Sequence, residues 1–398
     1  MRVLISGASI AGPVLAYWLT RRGFDVTVVE RAPALRKTGG HAIDLFRPAM
    51  EIAEQMGVLS RIEERTTGTT RIALSRAGST RTVDLDYLKL QRTISDRHVE
   101  IMRDDLSQMF YDAAREDVEY VFGDEITAIG DDGVVSFANG APRSFDVVVG
   151  ADGLHSGVRQ LVFGPDGGHT RFLGGYLAVL SVPKTLAREG ELTGVVDVGK
   201  QAMLYTADHL DDARAVFIFR RPTPLDYHHR DHATQRRLLR EEFAGMSPIV
   251  DRWLAELDGS GSFYFDSITQ LELATWSRGR VTLVGDAGYC PGPAVGGSTS
   301  LAVLGAYVLA GELERAGGDH VAAFAAYERV MADPVAHSRA LAATVAKTLI
   351  PSTSLGVWAL IAVGRTISLL PQRVTSTVAN LNDKGIRLYD SMHYPTYP

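Results

Sequence analysis

The chain of 398 residues has a single cysteine, Cys290, which excludes an internal disulfide and fits a reducing compartment. Nor is there a surplus of basic charge. Lys and Arg total 41 against 47 Asp and Glu, a formal charge of −6, so no basic field is available for nucleic acid. Long apolar runs are also missing. The most apolar segment, Leu349 to Leu370, is interrupted by Pro351, Gly356, Gly364 and Arg365, whereas a membrane helix needs about 20 apolar residues without such breaks. That segment is expected to pack as a helix across two domains, without stable membrane insertion. Glycine stops the first apolar run early in MRVLISGASIAG, so the start is not a signal peptide of ordinary form and a cytoplasmic location is expected. His228, His229 and His232 with Asp231 lie in a polar, Arg-rich loop without zinc spacing or partner cysteines, so no metal is expected. Internal repeats and low-complexity tracts are lacking.

What remains is a globular chain, 45% hydrophobic, long enough for two domains or for one large domain with an insertion. Arg2 to Ser6 reads as a strand, Gly7 to Gly12 as a tight turn, Pro13 to Arg22 as an apolar-faced helix and Asp25 to Glu30 as a second strand. This is a βαβ unit whose turn, Gly7-Ala8-Ser9-Ile10-Ala11-Gly12, follows GxGxxG with Ser9 at the second glycine. Glu30, closing the second strand, is placed to bind both ribose hydroxyls of an adenosine. The neighbouring Arg31 could equally be a solvated charge. On this evidence the first domain binds a dinucleotide.

Residues 36 to 48 carry a glycine pair that permits backbone approach to a ligand, followed by a helix over Ala49 to Leu59. Thr69 to Leu88 reads as a hairpin excursion into another layer, and Val99 to Arg115 as a helix with Arg103 in its first turn. Phe145 to Gly150 is a valine-rich strand ending in Ala151-Asp152-Gly153, which puts an acid at the crevice where such sheets bind ligands. Tyr176 to Pro183, Leu192 to Asp197, Ala202 to Thr206 and Ala213 to Arg220 form a largely antiparallel second sheet. Its Ala215, Phe217 and Phe219 share one face by alternation, and Tyr205 could join them; the face either packs a core or meets a ligand. Arg280 to Leu313 then reads as strand, Gly/Pro-rich loop and long apolar helix from Thr299. The free N–H groups and positive dipole end of that helix point back at the loop and suit an anion. An ordinary strand-loop-helix connection is the alternative.

GASIAG with Glu30-Arg31, VVVGADGLHSGVR and GDAGYCPGPAVGGSTS, in this order and spacing, resemble the fingerprints of the group A FAD-dependent monooxygenases. These are the aromatic hydroxylases shaped like p-hydroxybenzoate hydroxylase, and the likeness covers Arg2 to about Glu314. TGGHAIDLFRPAMEIAEQMGVL is similar to the branch holding tetracycline-inactivating and antibiotic-tailoring hydroxylases. The resemblance implies an α/β fold: a Rossmann-like FAD-binding domain of the GR2 type with an inserted, largely antiparallel sheet and C-terminal helices. The parts would be 1–68, 97–170 and 273–345 for FAD, 69–96 and 171–272 for substrate, and 346–398 for bridging helices.

By the same resemblance Gly7, Ser9 and Gly12, with Ile10 and Ala11 between them, would line the FAD pyrophosphate. Glu30 would hold the ribose and Arg31 lie by the adenine. Arg103 would reach the phosphate and ribityl region, Asp152 is the acid of the DG motif, and Asp286 after Gly285 would hold the ribityl chain. Gly40, Ile126 and Ser300 complete the implied cofactor contacts, with Pro293 beside the isoalloxazine ring. The family commonly shows GDAAH and a GQGxN-like run, where this chain has Gly288, Tyr289, Gly297, Ser298 and Ser300.

The implied reaction uses NADPH or NADH to reduce the flavin and O2 to add at its C4a position, so that the hydroperoxide hydroxylates an electron-rich aromatic or polyketide-like small molecule. Pro293, Gly296, Gly297, Ser298 and Thr299 would act by backbone electrostatics at the flavin ring. His41, Tyr205, Phe217 and Phe219 are candidate substrate contacts. A flavin-dependent reductase or oxidase on the same fold, or a flavin-containing ligand-binding protein without turnover, are the alternatives. A halogenase is disfavoured because no WxWxIP-like run occurs. Both monomer and homodimer stay open.

Overall fold

The computed structural model describes all residues except 36–39, 93–94, 96, 166–167, 294–296, 371–391 and 398, and the side chain of Leu349. Valine-rich strands buried on both faces build a six-stranded sheet in the order Ser277–Arg278, Val281–Leu283, Val147–Gly150, Arg2–Ser6, Asp25–Glu30, Glu119–Phe122. Its last five strands are mutually parallel. Such continuous apolar strands require cover on both sides. Part of that cover comes from the helices Ala11–Arg21, Arg103–Ala114 and Ser298–Arg315.

A seven-stranded sheet forms the second layer, in the order Phe263–Leu271, Thr170–Pro183, Asp212–Arg220, Lys200–Tyr205, Glu191–Asp197, Arg71–Arg76, Thr82–Asp86. It is antiparallel except where Glu191–Asp197 runs parallel to Arg71–Arg76. The Thr69 to Leu88 hairpin therefore joins this second layer, as its alternating pattern predicts.

Three expectations need correction. Residues 99 to 102 are not helical: His98–Met102 is a strand, antiparallel to Ala42–Phe46 in a two-stranded ribbon, and the helix starts at Arg103. The segment has period two, with Val99 and Ile101 in the core and His98, Glu100 and Met102 on the other face. Second, the helix Ser354–Leu369 does not bridge the layers. It lies on Thr82–Asp86 and Tyr87–Arg92, where Lys89 Nζ donates to the Ser368 carbonyl at 2.8 Å. The preceding helix His320–Leu349 is the bridge: Tyr327 and Met331 sit in the core of the six-stranded sheet, while Ala342 and Ala346 sit under the seven-stranded one.

Third, Tyr205 does not share a face with Phe217 and Phe219. The register sets Phe217 opposite Ala202 and Tyr205 opposite Arg214, so the two sets project from opposite faces. Phe217 and Phe219 are buried against Phe243, with ring centroids 5.0 and 5.9 Å away, in a core also holding Trp253. They are packing residues covered by the helices His232–Phe243 and Pro248–Ala255, which removes them from any substrate surface. No helix among the described residues is long and apolar enough to cross a membrane.

Gly305 shows how closely the long apolar helix is seated. A Cβ there would stand 1.8 Å from Tyr289 Oη, and that hydroxyl is locked 3.1 Å from Tyr327 Oη, which donates to the Leu283 carbonyl at 3.0 Å. Gly305→Ala should therefore destabilise the protein by about 1–3 kcal/mol through overpacking, read as a lower urea midpoint with an unchanged slope.

Candidate functional site

The first turn owes its shape to two glycines. Gly7 has φ +108°, and a Cβ on it would lie 2.5 Å from the Ala151 carbonyl oxygen; a Cβ on Gly12 would lie 1.9 Å from the Gly7 oxygen. Neither position admits a side chain, so the strand ends and the start of helix Ala11–Arg21 come into backbone contact. Ala8, Ile10 and Ala11 are buried there. Glu30 stands beside the turn: one carboxylate oxygen accepts from Ala8 N and the other from Ala32 N, both at 2.9 Å. Each oxygen keeps a lone pair for a further donor. Arg31 is surface-exposed and 4.0 Å from Glu125, the ordinary solvated pair that its position also allowed. Ile126 begins a strand on the same side, since Asp124 N donates to the Glu30 carbonyl at 3.2 Å.

Arg103 leads into the same turn from its helix. Its Nη2 lies 3.3 Å from Ser9 Oγ, and Ser107 Oγ donates to the Ser9 carbonyl at 3.0 Å. Arg103 N donates to the His41 carbonyl at 3.1 Å. Burial, and then the Arg103 cation, lower the His41 pKa to about 4, so this imidazole is neutral at physiological pH. Gly40 is fixed by donating to Asp104 at 2.7 Å and accepting from Arg214 Nε at 3.0 Å.

Asp152 closes the valine strand and is half-buried, accepting from Ser156 Oγ and, at 3.1 Å, from Val158 N. Burial raises its pKa, which the Ser156 bond opposes. The GD acid has an equivalent brace, because Ser298 Oγ donates to Asp286. Gly297 sits in the left-handed region at φ +82° as the residue before helix Ser298–Arg315. The first-turn amides of Ser298, Thr299 and Ser300 therefore face the loop end without intrahelical acceptors. Ser300 Oγ accepts from Phe46 N at 2.9 Å. Ser298 and Ser300, two of the departures from the family pattern, thus tie the loop to the GD acid and to the two-stranded ribbon. Pro293 is described, whereas Gly296 lies outside the described residues.

Beyond this loop the ribbon meets the seven-stranded sheet. Tyr205 Oη accepts from Ala42 N at 2.7 Å, and Tyr264 lies with its ring centroid 6.1 Å from that of His41. His41 and Tyr205 are therefore brought together, and Tyr264 joins them without having been singled out in the sequence. Alternation along Phe263–Leu271 could have found it, since Tyr264 and Ile268 share a face opposite Phe265. His155, just after the DG acid, contacts Asp266 of the same strand at 2.7 Å and stacks on His229 at 4.4 Å. Burial, and then the electrostatic influence of the neighbouring His155, His228 and Arg230, lower the His229 pKa to about 4. Among the described residues no group of three or more His, Cys, Asp or Glu could hold a metal.

The family described as "FAD binding domain" matches residues 1–316. A flavin-dependent monooxygenase from an unknown prokaryotic organism is 37% identical over 361 residues, 88% of this chain and 90% of that one. A flavin-dependent monooxygenase of Legionella longbeachae is 34% identical, over 83% and 85% of the two chains. The chain belongs to the flavin-dependent monooxygenase family. Among solved structures it is similar to the tetracycline destructase Tet(51), with TM-score 0.83 and 31% identity over 100% of this chain and 99% of that one. It also resembles Klebsiella pneumoniae HpxO complexed with FAD and uric acid, with TM-score 0.72 and 25% identity over 97% of each. The protein is an FAD-dependent monooxygenase enzyme, and its family uses NAD(P)H and O2.

Asp44 and Glu100 face each other across the ribbon. Glu100 accepts from Tyr87 Oη at 2.6 Å and from Thr67 Oγ1. Burial first, and the Glu100 charge second, raise the Asp44 pKa to about 7. A carboxyl raised in this way is protonated in the fold where it is ionised in the unfolded chain, so it costs stability as pH climbs from the ordinary Asp range to about 7. Asp44→Asn should therefore be more stable than wild type at pH 8, the advantage shrinking toward pH 4. Urea midpoints measured across that range check the sign, and a difference independent of pH would contradict it.

Proposed function

We propose that this monooxygenase hydroxylates an electron-rich aromatic or polyketide-like molecule in the space between the loop Gly285–Thr299 and the seven-stranded sheet, in the cytoplasm. The observation that carries this reading is the convergence there of the helix amides after Gly297, the neutral His41, and the rings of Tyr205 and Tyr264. The tetracycline-degrading activity in the name of one structural relative supports a polycyclic, phenol-bearing substrate. The parts contributing to the six-stranded sheet (1–68, 97–170, 273–345) would serve the cofactor, and 69–96 with 171–272 the substrate.

The residues present fit FAD. The bare glycines Gly7 and Gly12 let the turn close on its own backbone at the head of helix Ala11–Arg21, where a pyrophosphate would approach, and Arg103 stands beside Ser9 to meet its charge. Glu30 would take the adenosine ribose, while Asp152 and Asp286 reach the middle of the dinucleotide. When bound, FAD supplies oxygen-atom transfer after reduction by NADPH or NADH. The amides of Ser298 and Thr299, with the dipole of the helix they begin, would stabilise negative charge at the ring's N1 and O2 edge. His41 is neutral and so can donate or accept a hydrogen bond near neutrality, while burial and Arg103 oppose its taking up a proton, and Tyr205, whose pKa burial raises, remains a hydroxyl. The sheet above excludes water, which would otherwise divert oxygen to hydrogen peroxide.

Incubation of the FAD-loaded protein with NADPH, O2 and a panel of phenols and tetracyclines tests the reading. A product heavier by one oxygen, formed with NADPH consumption, is expected; hydrogen peroxide alone with every compound would count against it.

Two variants locate the site. Glu30→Ala removes charge-assisted bonds worth about 1.5–3 kcal/mol each, so FAD should dissociate at least tenfold more readily. A variant that purifies as yellow as wild type would sink the ribose assignment. Gly297→Val forces a branched residue toward φ +82° and should cut turnover per bound flavin while adenine-side binding survives. Normal turnover per flavin with only a lower melting temperature would make the loop a mere connection.

A further inference from the structure

The outer face of the two-stranded ribbon borders a cavity that the foregoing chemistry leaves unused. Alternation along Ala42–Phe46 and His98–Met102 sends Leu45, Val99 and Ile101 into the core and leaves Asp44, Phe46, His98 and Glu100 on the opposite side. Over that side stand Ile72 of strand Arg71–Arg76 and the helix Tyr87–Arg92, and between them lies a partly open cavity of about 100 Å³. Phe46, Ile72 and Leu90 give it apolar walls, Tyr87, Gln91 and His98 line the rest, and Asp44 is its acid. A space of that size holds about three water molecules, or one small organic group in their place.

The Asp44 carboxyl lines this cavity without a hydrogen-bond or ion-pair partner among the described residues. It lies deep in the protein yet keeps surface that water can reach, because that surface belongs to the cavity wall. Its neighbour Glu100 is fully engaged, one oxygen accepting from Tyr87 Oη at 2.6 Å and the other from Thr67 Oγ1. Tyr87 thereby commits its only proton and has none for Asp44. The remaining titratable group facing the cavity is the His98 ring, which lies against Phe46 with centroids 6.1 Å apart. Burial raises the pKa of both carboxyls, and no cation opposes it. An unpaired buried carboxyl is costly, and a second one beside it makes ionisation costlier still. A divalent metal is a poor complement, since it wants about six oxygen ligands where this cavity offers one free carboxyl. A single positive charge with N–H donors, carried on a small apolar body, matches both the acid and the walls.

We infer that this cavity is a binding site for a small organic cation, a protonated amine on a short apolar chain, whose nitrogen donates to Asp44 while the chain lies against Phe46, Ile72 and Leu90. The ammonium supplies the counter-charge that the two acids lack, and the chain displaces water from apolar walls. A neutral alcohol of the same shape brings no such charge. The inference concerns this cavity alone and stands whatever reaction the flavin supports.

Thermal melting of the FAD-loaded protein at pH 8, above the value of about 7 to which Asp44 is raised, tests it without NADPH or turnover. The probes are n-butylammonium chloride and 1-butanol, each added over an excess of sodium chloride that screens surface charge. Butylammonium should raise the wild-type melting temperature and butanol should not. In Asp44→Asn butylammonium should bind at least tenfold more weakly, each shift being read against the variant's own melting temperature without ligand. Leu90→Phe, which keeps both acids but fills the cavity, should lose the rise as well. No rise with butylammonium, an equal rise with butanol, or a butylammonium rise undiminished in Asp44→Asn would each overturn the inference. If Asp44→Asn does not hold FAD, Leu90→Phe decides: an undiminished rise there overturns the inference, and its loss bears it out.

Discussion

The structure turns on the meeting of two helix N-termini at one glycine. Gly285 ends the strand Val281–Leu283, has φ +66°, and a Cβ there would stand 3.2 Å from Ala302 Cβ and 3.4 Å from Ala11 Cβ. Ala11 is the first residue and Ala302 the fifth of the two helices Ala11–Arg21 and Ser298–Arg315. Each helix start carries about half a positive charge, and Gly285 lets both be brought to the carboxyl ends of the strands. Three acids, Glu30, Asp152 and Asp286, stand at the carboxyl ends of three strands of the six-stranded sheet. Positive dipole ends beside fixed carboxylates place anion-binding and hydroxyl-binding groups side by side, the pairing that the proposed dinucleotide site would use. The rest of the long helix is held by small residues at close contacts: Gly305 against Tyr289, and Gly311 against the ring of Tyr397 in the returning C-terminal segment.

Whatever depends on local sequence was legible. The GxGxxG turn with its terminal acid, the valine strands and the Gly/Pro loop before an apolar helix all follow from short-range sterics and periodicity. The structure keeps them nearly to the residue. What could not be read was set by register and by contacts distant in sequence. Tyr205 and Phe217 look equivalent in alternating strands, and only the pairing of Tyr205 with Arg214 puts them on opposite faces. Val99 to Met102 has helix-compatible residues running into a true helix, and only its partner strand Ala42–Phe46 makes it a strand. The bridge was assigned one helix too late because Pro351 and Gly356 break the chain after His320–Leu349 has already crossed between the layers.

The departures from the family's loop pattern have a physical account once the contacts are known. Ser298 and Ser300 are too short to reach far into a ligand site, yet each closes a hydrogen bond at the point where the helix begins, one to Asp286 and one to Phe46 N. A backbone held on both sides keeps its amides aimed without help from longer side chains, and this preorganisation is what electrostatic stabilisation requires. Tyr289 instead turns inward, its ring tilted against Trp276 with centroids 4.7 Å apart and its hydroxyl hydrogen-bonded to Tyr327 Oη. The side chains of Ser298 and Ser300 thus hold the main chain at the start of the helix, which leaves the proposed role of this stretch to its amides.

One strand, Phe263–Leu271, couples the two layers. Asp266 meets His155 behind the DG acid, Gln270 meets the carbonyl of Arg339 on the bridging helix, and Leu271 N meets Cys290 at the head of the flavin loop. The three contacts reach three separate stretches of the chain, while the Tyr264 ring of the same strand lies beside that of His41, centroids 6.1 Å apart. A ligand that displaces Tyr264 must therefore act on a strand already pinned to the sheet end, the loop and the helix. Local opening of the chamber is disfavoured, because it would break contacts in all three places together. Oxygen chemistry that fails in the presence of water needs that cooperativity more than it needs any single acid or base.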